Sequence, residues 1–302
     1  MYKHDNTITS SFSYLLASKV KDYFLLIKFT LSFMVVFSSI VCYLLAPHVT
    51  FDLLSILLLF IAGMLITGSA NAINQAVEKD TDALMKRTAD RPVASGRMNE
   101  TEAYIFAAIT GFAGVFIMWQ WFNLASALLG LFSLFLYAFI YTPLKKINSI
   151  AVLIGAFPGA LPCLIGWVAA TNEFSAGGWI LFGIQFLWQF PHFWAIAWVA
   201  HRDYSKAGFK LLPSEKGPTK FTALQTVMYS MLMVPVGMLP YYFNISGITA
   251  MWIILLCNVY MVFVSLMLFI KMDVSSAKRV MFSSYFYLMI VFLALLFDKV
   301  KI

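Results

Sequence analysis

Nine apolar stretches, each long enough to cross a bilayer, follow one another along this chain: Tyr23–Ala46, Leu53–Val77, Ala103–Trp121, Ala125–Tyr141, Ile150–Ala170, Trp179–Ala200, Phe221–Phe243, Ile248–Ile270 and Val280–Phe297. About 20 apolar residues suffice for one helical crossing. Inside lipid every backbone N–H and C=O must be satisfied within the chain, which leaves only helices and closed barrels. No strand-like alternation of useful length occurs, so helices are predicted. Composition agrees, with 61% of the 302 residues hydrophobic and only 12% charged. Soluble domains sit near 45–50% apolar and about 25% charged. A cytosolic enzyme, a secreted disulfide scaffold and a disordered tail are all excluded. Cys42, Cys163 and Cys257 lie far apart inside apolar runs, without metal spacing, and read as small buried hydrophobes. The first twenty residues lack the apolar core of a signal peptide, so the first run is expected to be a retained span behind a cytoplasmic segment, residues 1–21. No soluble domain or linker interrupts the series, which gives a single transmembrane domain over 1–302.

The net charge of +7 would suit nucleic acid if it were clustered, and it is not. Lys3, Lys19 and Lys21 precede the first span. Lys79, Lys86, Arg87, Arg91 and Arg97 lie between the second and third, Lys145 and Lys146 between the fourth and fifth. Arg202, Lys206, Lys210, Lys216 and Lys220 follow the sixth, and Lys271, Lys278 and Arg279 follow the eighth. The alternate loops hold no Lys or Arg at all. Under the positive-inside rule this split places the N-terminus in the cytoplasm and, with nine spans, the C-terminus outside. Lys299 and Lys301 at the C-terminus are the dissenting charges. No nucleic-acid partner is expected; the bilayer is.

Most of the other polar chemistry falls on the same cytoplasmic side. Asn74, Glu78 and Asp82 stand at i, i+4 and i+8 where the second span ends. On a helix that spacing makes one slowly drifting stripe about 12 Å long. Oxygen ligands in a row suit Mg²⁺, which takes one or two carboxylates and fills its remaining positions with water and phosphate. Lys86, Arg87 and Arg91 follow within a dozen residues. Acids that hold a divalent ion beside guanidinium groups make a diphosphate clamp. The bland alternative is a solvated helix end with internal salt bridges.

A second cluster runs from Pro191-His192-Phe193-Trp194 to Arg202, Asp203 and Lys206. Asp203 could add a further metal or phosphate contact. His192 could act as an imidazole ligand, or hydrogen-bond a carbonyl freed by Pro191. Lys28, inside the first span, could reach phosphate or snorkel to the headgroups.

These segments resemble the UbiA-type membrane prenyltransferases. Asn74-xxx-Glu78-xxx-Asp82 followed by Leu84-Met-Lys-Arg-Thr-Ala-Asp-Arg-Pro92 is similar to the first signature of that family. Tyr141-Thr142 with Lys145-Lys146, and Gly155–Trp167, are similar to its segment around spans four and five. Pro191-His-Phe-Trp194 with Asp203-Tyr-Ser-Lys-Ala-Gly208 is similar to the second signature of its haem-modifying branch. Three positions depart from the pattern: Glu78 stands where Asp is usual, Phe29 follows Lys28 where Pro is common, and Leu211 replaces Met.

The resemblance implies an all-α integral membrane fold of about nine helices around a central cavity open to the cytoplasmic side, in a bacterial plasma (inner) membrane. It implies Mg²⁺-dependent transfer of a farnesyl group from farnesyl diphosphate to a vinyl group of haem b. It assigns catalysis to Asn74, Glu78, Asp82 and Tyr141, and the metal to Asn74, Glu78, Asp82 and Asp203. Diphosphate would be held by Lys86, Arg87, Arg91, Lys146, Arg202 and Lys206, with His192 and Lys28 toward haem. The product would be handed to a haem A synthase or a terminal-oxidase assembly. A quinone-precursor or other tetrapyrrole acceptor would share the first signature, and the Pro-His-Phe block counts against it. A membrane transporter would want ionisable groups near the midplane, whereas here they gather at one face.

Overall fold

The computed structural model describes residues 5–214 and 217–300, with side chains from residue 16 onward. Of the charges used above, Lys3, Lys216 and Lys301 lie outside the described residues, as do the side chains of the first fifteen positions.

The described residues form helices joined by turns and short loops. In order they form α1 (Asp5–Leu26), α2 (Phe29–Leu45), α3 (Leu53–Val77), the short α4 (Lys79–Ala83), α5 (Glu100–Trp121) and α6 (Leu124–Phe135). A π-helical turn (Leu136–Tyr141) and α7 (Thr142–Leu144) prolong α6. Then come α8 (Ala151–Thr171), α9 (Ala176–Val199), α10 (His201–Lys206), α11 (Lys220–Tyr242), α12 (Ile248–Lys271) and α13 (Val274–Phe297). Among the described residues no strand forms; one isolated bridge joins Ser246 to Lys299. Several starts carry side-chain caps: Asp52 accepts from Leu54 and Ser55, Asn99 from Glu102, Asn123 from Ser126, and Asp273 from Ser276. Each cap satisfies an N–H that has no partner in the first helical turn.

Among the described residues eight helices are long and apolar enough to cross a membrane. Leu16–Leu26 and Phe29–Leu45, bent by 51°, make a ninth if taken as one broken span. This is an integral membrane protein, and the surface explains why. Phe112, Leu256, Ile270 and Phe286 are each two-thirds or more exposed, a burden of apolar surface that only lipid can cover. Eight of the nine expected runs each correspond to one of these helices, and the first is corrected: it is broken at Ile27–Lys28 rather than continuous. Lys28 sits in the left-handed region (φ 48°, ψ 57°), although no proline enforces the break.

Packing runs between chain neighbours, α2 with α3, α3 with α5, and so on to α13, which returns to α2; α2 against α8 and α9 against α13 tie opposite parts together. Gly166 lets α2 and α8 touch at the backbone, since a Cβ there would overlap the Ser39 carbonyl. The largest core unites Cys42, Cys163, Trp198, Met261 and Phe292 from α2, α8, α9, α12 and α13. At the end of the bundle where α2 stops, Lys299 donates 2.7 Å bonds to the carbonyls of Leu44 and Ala46. That lysine, which dissented from the charge asymmetry, is a cap on a helix C-terminus, where a cation is favoured by the helix dipole.

Candidate functional site

The second span does deliver Asn74, Glu78 and Asp82 together, by a route slightly different from one continuous helix. α3 ends at Val77, Glu78 takes a non-helical conformation (φ −97°, ψ 13°), and α4 begins at Lys79. The i-to-i−4 bonds nevertheless run through, from Glu78 N to Asn74 O and from Asp82 N to Glu78 O, so the stripe survives the irregularity. All three side chains are buried: Asn74 and Asp82 are 1% exposed and Glu78 is 3%. Two carboxylates this deep must be compensated, because an unpaired buried charge costs several kcal/mol.

The compensation comes from three separate segments. Arg91 Nη1 lies 2.6 Å from Asp82 Oδ2. Lys145 Nζ lies 2.5 Å from Glu78 Oε1, a contact of charge rather than an aligned hydrogen bond. Lys28 Nζ donates to Asn74 Oδ1 at 2.8 Å. The amide of Asn74 is oriented from its other side: Thr142 Oγ1 gives its hydrogen to Tyr137 O and therefore accepts from Asn74 Nδ2. Asp82 Oδ1 has no hydrogen-bond partner. A buried carboxylate oxygen is a strong acceptor, so this atom is the group in the cluster with most to gain from a cation or a donor.

The π-helical turn after α6 faces Tyr137 and Tyr141 toward each other, with ring centroids 5.3 Å apart. Such turns occur mainly as single insertions, frequently at functional sites. Gly155 on α8 lets the Tyr141 ring lie flat, because a Cβ there would strike it. Lys145 projects over that ring at 4.8 Å and over Phe209 at 5.3 Å. Burial lowers the Lys145 ammonium from its usual range, while Glu78 opposes the shift. Nearer the surface, Arg87 donates to Tyr204 Oη at 3.3 Å. Burial raises the Tyr204 phenol above its ordinary value, against the pull of Arg87 and Arg91.

The expected residues divide clearly. Asn74, Glu78, Asp82, Arg91, Lys28 and Tyr141 belong to one connected cluster. Lys86, Arg87, Lys146, Arg202 and Lys206 are exposed, and of these Arg87 is tied toward the cluster through Tyr204. Asp203 is half-buried and makes no ion pair among the described residues. Lys145, rather than its neighbour Lys146, turned out to be the inward base. Its position four residues after Tyr141 puts the two on one face and was the signal available for it.

The protein atoms fit Mg²⁺ only as a shared ligand set. Among the described residues no group of three or more His, Cys, Asp or Glu side chains converges. The two carboxylates of Glu78 and Asp82 match what Mg²⁺ takes from protein when phosphate and water supply the rest.

His192 lies apart from this cluster on α9, 8% exposed and stacked on Trp188 at 4.7 Å. It does not bond a carbonyl freed by Pro191. Its Nδ1 meets Ser284 Oγ at 2.8 Å, and that hydroxyl already donates to Met281 O at 2.6 Å. The hydroxyl has one hydrogen, so Nδ1–H must be the donor and Nε2 keeps its lone pair.

Fold and site together define a polytopic helical membrane protein in which two buried carboxylates, Glu78 and Asp82, are matched by Lys145 and Arg91. The chain belongs to the UbiA prenyltransferase family, which its residues 35–295 match. It is 47% identical to a protoheme IX farnesyltransferase of Cytophaga hutchinsonii, over 94% of this chain and all of that one. The protoheme IX farnesyltransferase of Flavobacterium psychrophilum is 41% identical, over 90% of this chain and 92% of the relative. Among solved structures, one of digeranylgeranylglyceryl phosphate synthase superposes with a TM-score of 0.77 at 22% identity, covering 93% of this chain and 98% of the other. A UbiA homolog from Archaeoglobus fulgidus bound to GPP and Mg²⁺ gives 0.67 at 15% identity, covering 91% and 99%. The expected helical membrane fold is thereby established, and so is the family.

Proposed function

We propose that this protein transfers a farnesyl group from farnesyl diphosphate to a vinyl group of haem b, with addition of water giving the hydroxyethylfarnesyl product and releasing diphosphate. The observation that carries the reading is the buried cluster in which Glu78 and Asp82 are matched by Lys145 and Arg91, with Asp82 Oδ1 left without a hydrogen-bond partner. The names and the high coverage of the relatives support the farnesyl donor and the haem acceptor. The bilayer is the natural medium for both substrates.

The difficulty of the reaction is a poor leaving group on an allylic carbon. Glu78 and Asp82 would hold Mg²⁺, which would supply positive charge against the negative charge that grows on the diphosphate as the C–O bond breaks. Arg91 and Lys145 are held now by the two carboxylates and would turn to the phosphate oxygens, as guanidinium and ammonium groups do in charge-assisted bonds. Lys28 would reach the same end from the first span. Asn74 orients Lys28 and lends its carbonyl oxygen to the polar set. As the allylic cation forms, the Tyr141 ring face, which already accommodates the Lys145 ammonium, would stabilise it by cation–π attraction. His192, with Nε2 unprotonated and its ring fixed by Ser284 and Trp188, is suited to the iron of the acceptor. Arg87, seated on Tyr204, would guard the entrance and meet arriving diphosphate; Lys86, Lys146, Arg202 and Lys206 would supply only the general positive field there.

In this reading one transmembrane domain spans the chain, with the ionic cluster at the cytoplasmic face of a bacterial plasma membrane, the N-terminus inside and the C-terminus outside. The product, bearing a fifteen-carbon tail, stays in the bilayer and would pass to a haem-using membrane partner such as a haem A synthase or an oxidase in assembly. Membranes containing the protein, supplied with haem b, farnesyl diphosphate and Mg²⁺, should yield a haem heavier by one farnesyl group and one hydroxyl group in mass spectrometry. Unmodified haem, or a prenylated quinone precursor offered in competition, would replace this reading with another acceptor.

A further inference from the structure

The break between α1 and α2 is held open by side chains whose own chemistry the reaction does not use. Where α1 ends, Leu25 O accepts from Lys28 N at 3.2 Å in a tighter turn, and the carbonyls of Leu26 and Ile27 lose the donors that a continued α-helix would supply. Gln75 Nε2 donates to Leu25 O and Leu26 O, both at 2.9 Å. Asn71 Nδ2 donates to Ile27 O and to Ser32 Oγ, both at 3.1 Å, and Ser32 Oγ donates to Ile27 O at 2.6 Å. Gln75 and Ser32 are fully buried and Asn71 is 1% exposed. Gln75 Oε1, at the other end of the amide, has no partner. The amide is therefore turned to serve the break at its own expense.

Kinks in helices normally trace to proline, to glycine or to a group inserted into the hydrogen-bond ladder. Here Phe29 follows Lys28, so the third cause applies, and the inserted groups come from α3. The conformation they enforce is the one that aims Lys28. Its backbone is left-handed at φ 48°, which is disfavoured for any residue with a Cβ, and its ammonium reaches Asn74 Oδ1 in the cluster. Asn71 and Gln75 stand three residues before and one after Asn74. One turn of α3 thus carries both the target of the ammonium and the two amides that bend the chain toward it.

We infer that Asn71 and Gln75, with Ser32, are positioning residues: they hold the Ile27–Lys28 break so that the Lys28 ammonium sits where diphosphate binds. The inference rests on the proposed prenyl-diphosphate site. Neither amide touches the anion, so both must act through Lys28. A lysine that meets diphosphate equally before and during bond cleavage contributes uniform binding, which appears in KM and not in kcat.

The test is a double-mutant cycle on the full chain in nanodiscs, with farnesyl diphosphate varied at saturating haem b and Mg²⁺. Lys28→Met should raise KM by about tenfold or more, the loss of roughly one charge-assisted phosphate contact. Gln75→Met should raise KM by at least about threefold with kcat within twofold, and should add nothing in the Lys28→Met background, since coupled residues are non-additive. Ser32→Ala, a smaller change, should follow the same pattern more weakly and serves if Gln75→Met is poorly folded. Multiplicative effects in the double variant, or equal losses of kcat in both backgrounds, would overturn the inference. The same cycle read by calorimetry as affinity for Mg²⁺-pyrophosphate separates the two claims. Gln75 dependence that vanishes without Lys28 supports the inference even if haem is not the acceptor. Pyrophosphate affinity indifferent to Gln75 refutes it even if farnesylated haem is made.

Discussion

Replacing Asp82 by asparagine isolates the charge in the cluster from its shape. The amide has nearly the same volume, and its Oδ1 can still accept from Arg91, which now lies 2.6 Å from Asp82 Oδ2. What disappears is one negative charge from a site that is 1% exposed. At an effective dielectric of about 20, a unit charge acts on another about 4 Å away by roughly 4 kcal/mol. Each 1.36 kcal/mol is about tenfold in rate, so removing the charge proposed to hold the metal should slow kcat by about a thousandfold. Arg91 is partly exposed at 19% and can recover hydration, so the variant should still insert and purify as a single species. Initial rates of farnesylated-haem formation, read by mass spectrometry at saturating substrates, give the answer. A folded Asp82→Asn protein working within tenfold of the parent would refute the reasoning.

Two further expectations follow from burial. Lys145→Met strands the Glu78 carboxylate and should cost about 3–5 kcal/mol of stability together with most of kcat/KM. Lys146→Met, at an exposed position, should alter either quantity by no more than about twofold, as surface changes do; thermal melts and kinetics of the pair decide between the neighbours. At the far end of the bundle, Lys299→Met removes the donor to the Leu44 and Ala46 carbonyls. It should lower stability by about 1–3 kcal/mol while leaving kcat unchanged, and a large catalytic defect there would contradict the separation of cap from site.

The spans were legible because lipid imposes a length and a polarity that few other contexts share. The stripe of Asn74, Glu78 and Asp82 was legible because helical spacing survives the irregularity at Glu78. The break at Lys28 was not, since no glycine or proline marks it. Its only trace in the sequence is the pair Asn71 and Gln75, two amides in an apolar run that ask for partners. The charge census read Lys299 as dissent from the topology because counting bases cannot tell a helix cap from a topological signal. Likewise the bases near the acids could be counted but not ranked. Whether Lys145 or Lys146 turns inward depends on the phase of the π-helical turn, whose Tyr141 ring packs against Gly155 from a distant part of the sequence.

The central claim is that Glu78 and Asp82 hold a divalent ion jointly with diphosphate. Mn²⁺ accepts the same oxygen ligands as Mg²⁺ and can be observed by electron paramagnetic resonance. With protein and farnesyl diphosphate together, bound Mn²⁺ should show phosphorus hyperfine coupling, and in the Glu78→Gln/Asp82→Asn double variant that bound signal should disappear. Protein-bound Mn²⁺ coupled to phosphorus at undiminished affinity in the double variant would contradict the account.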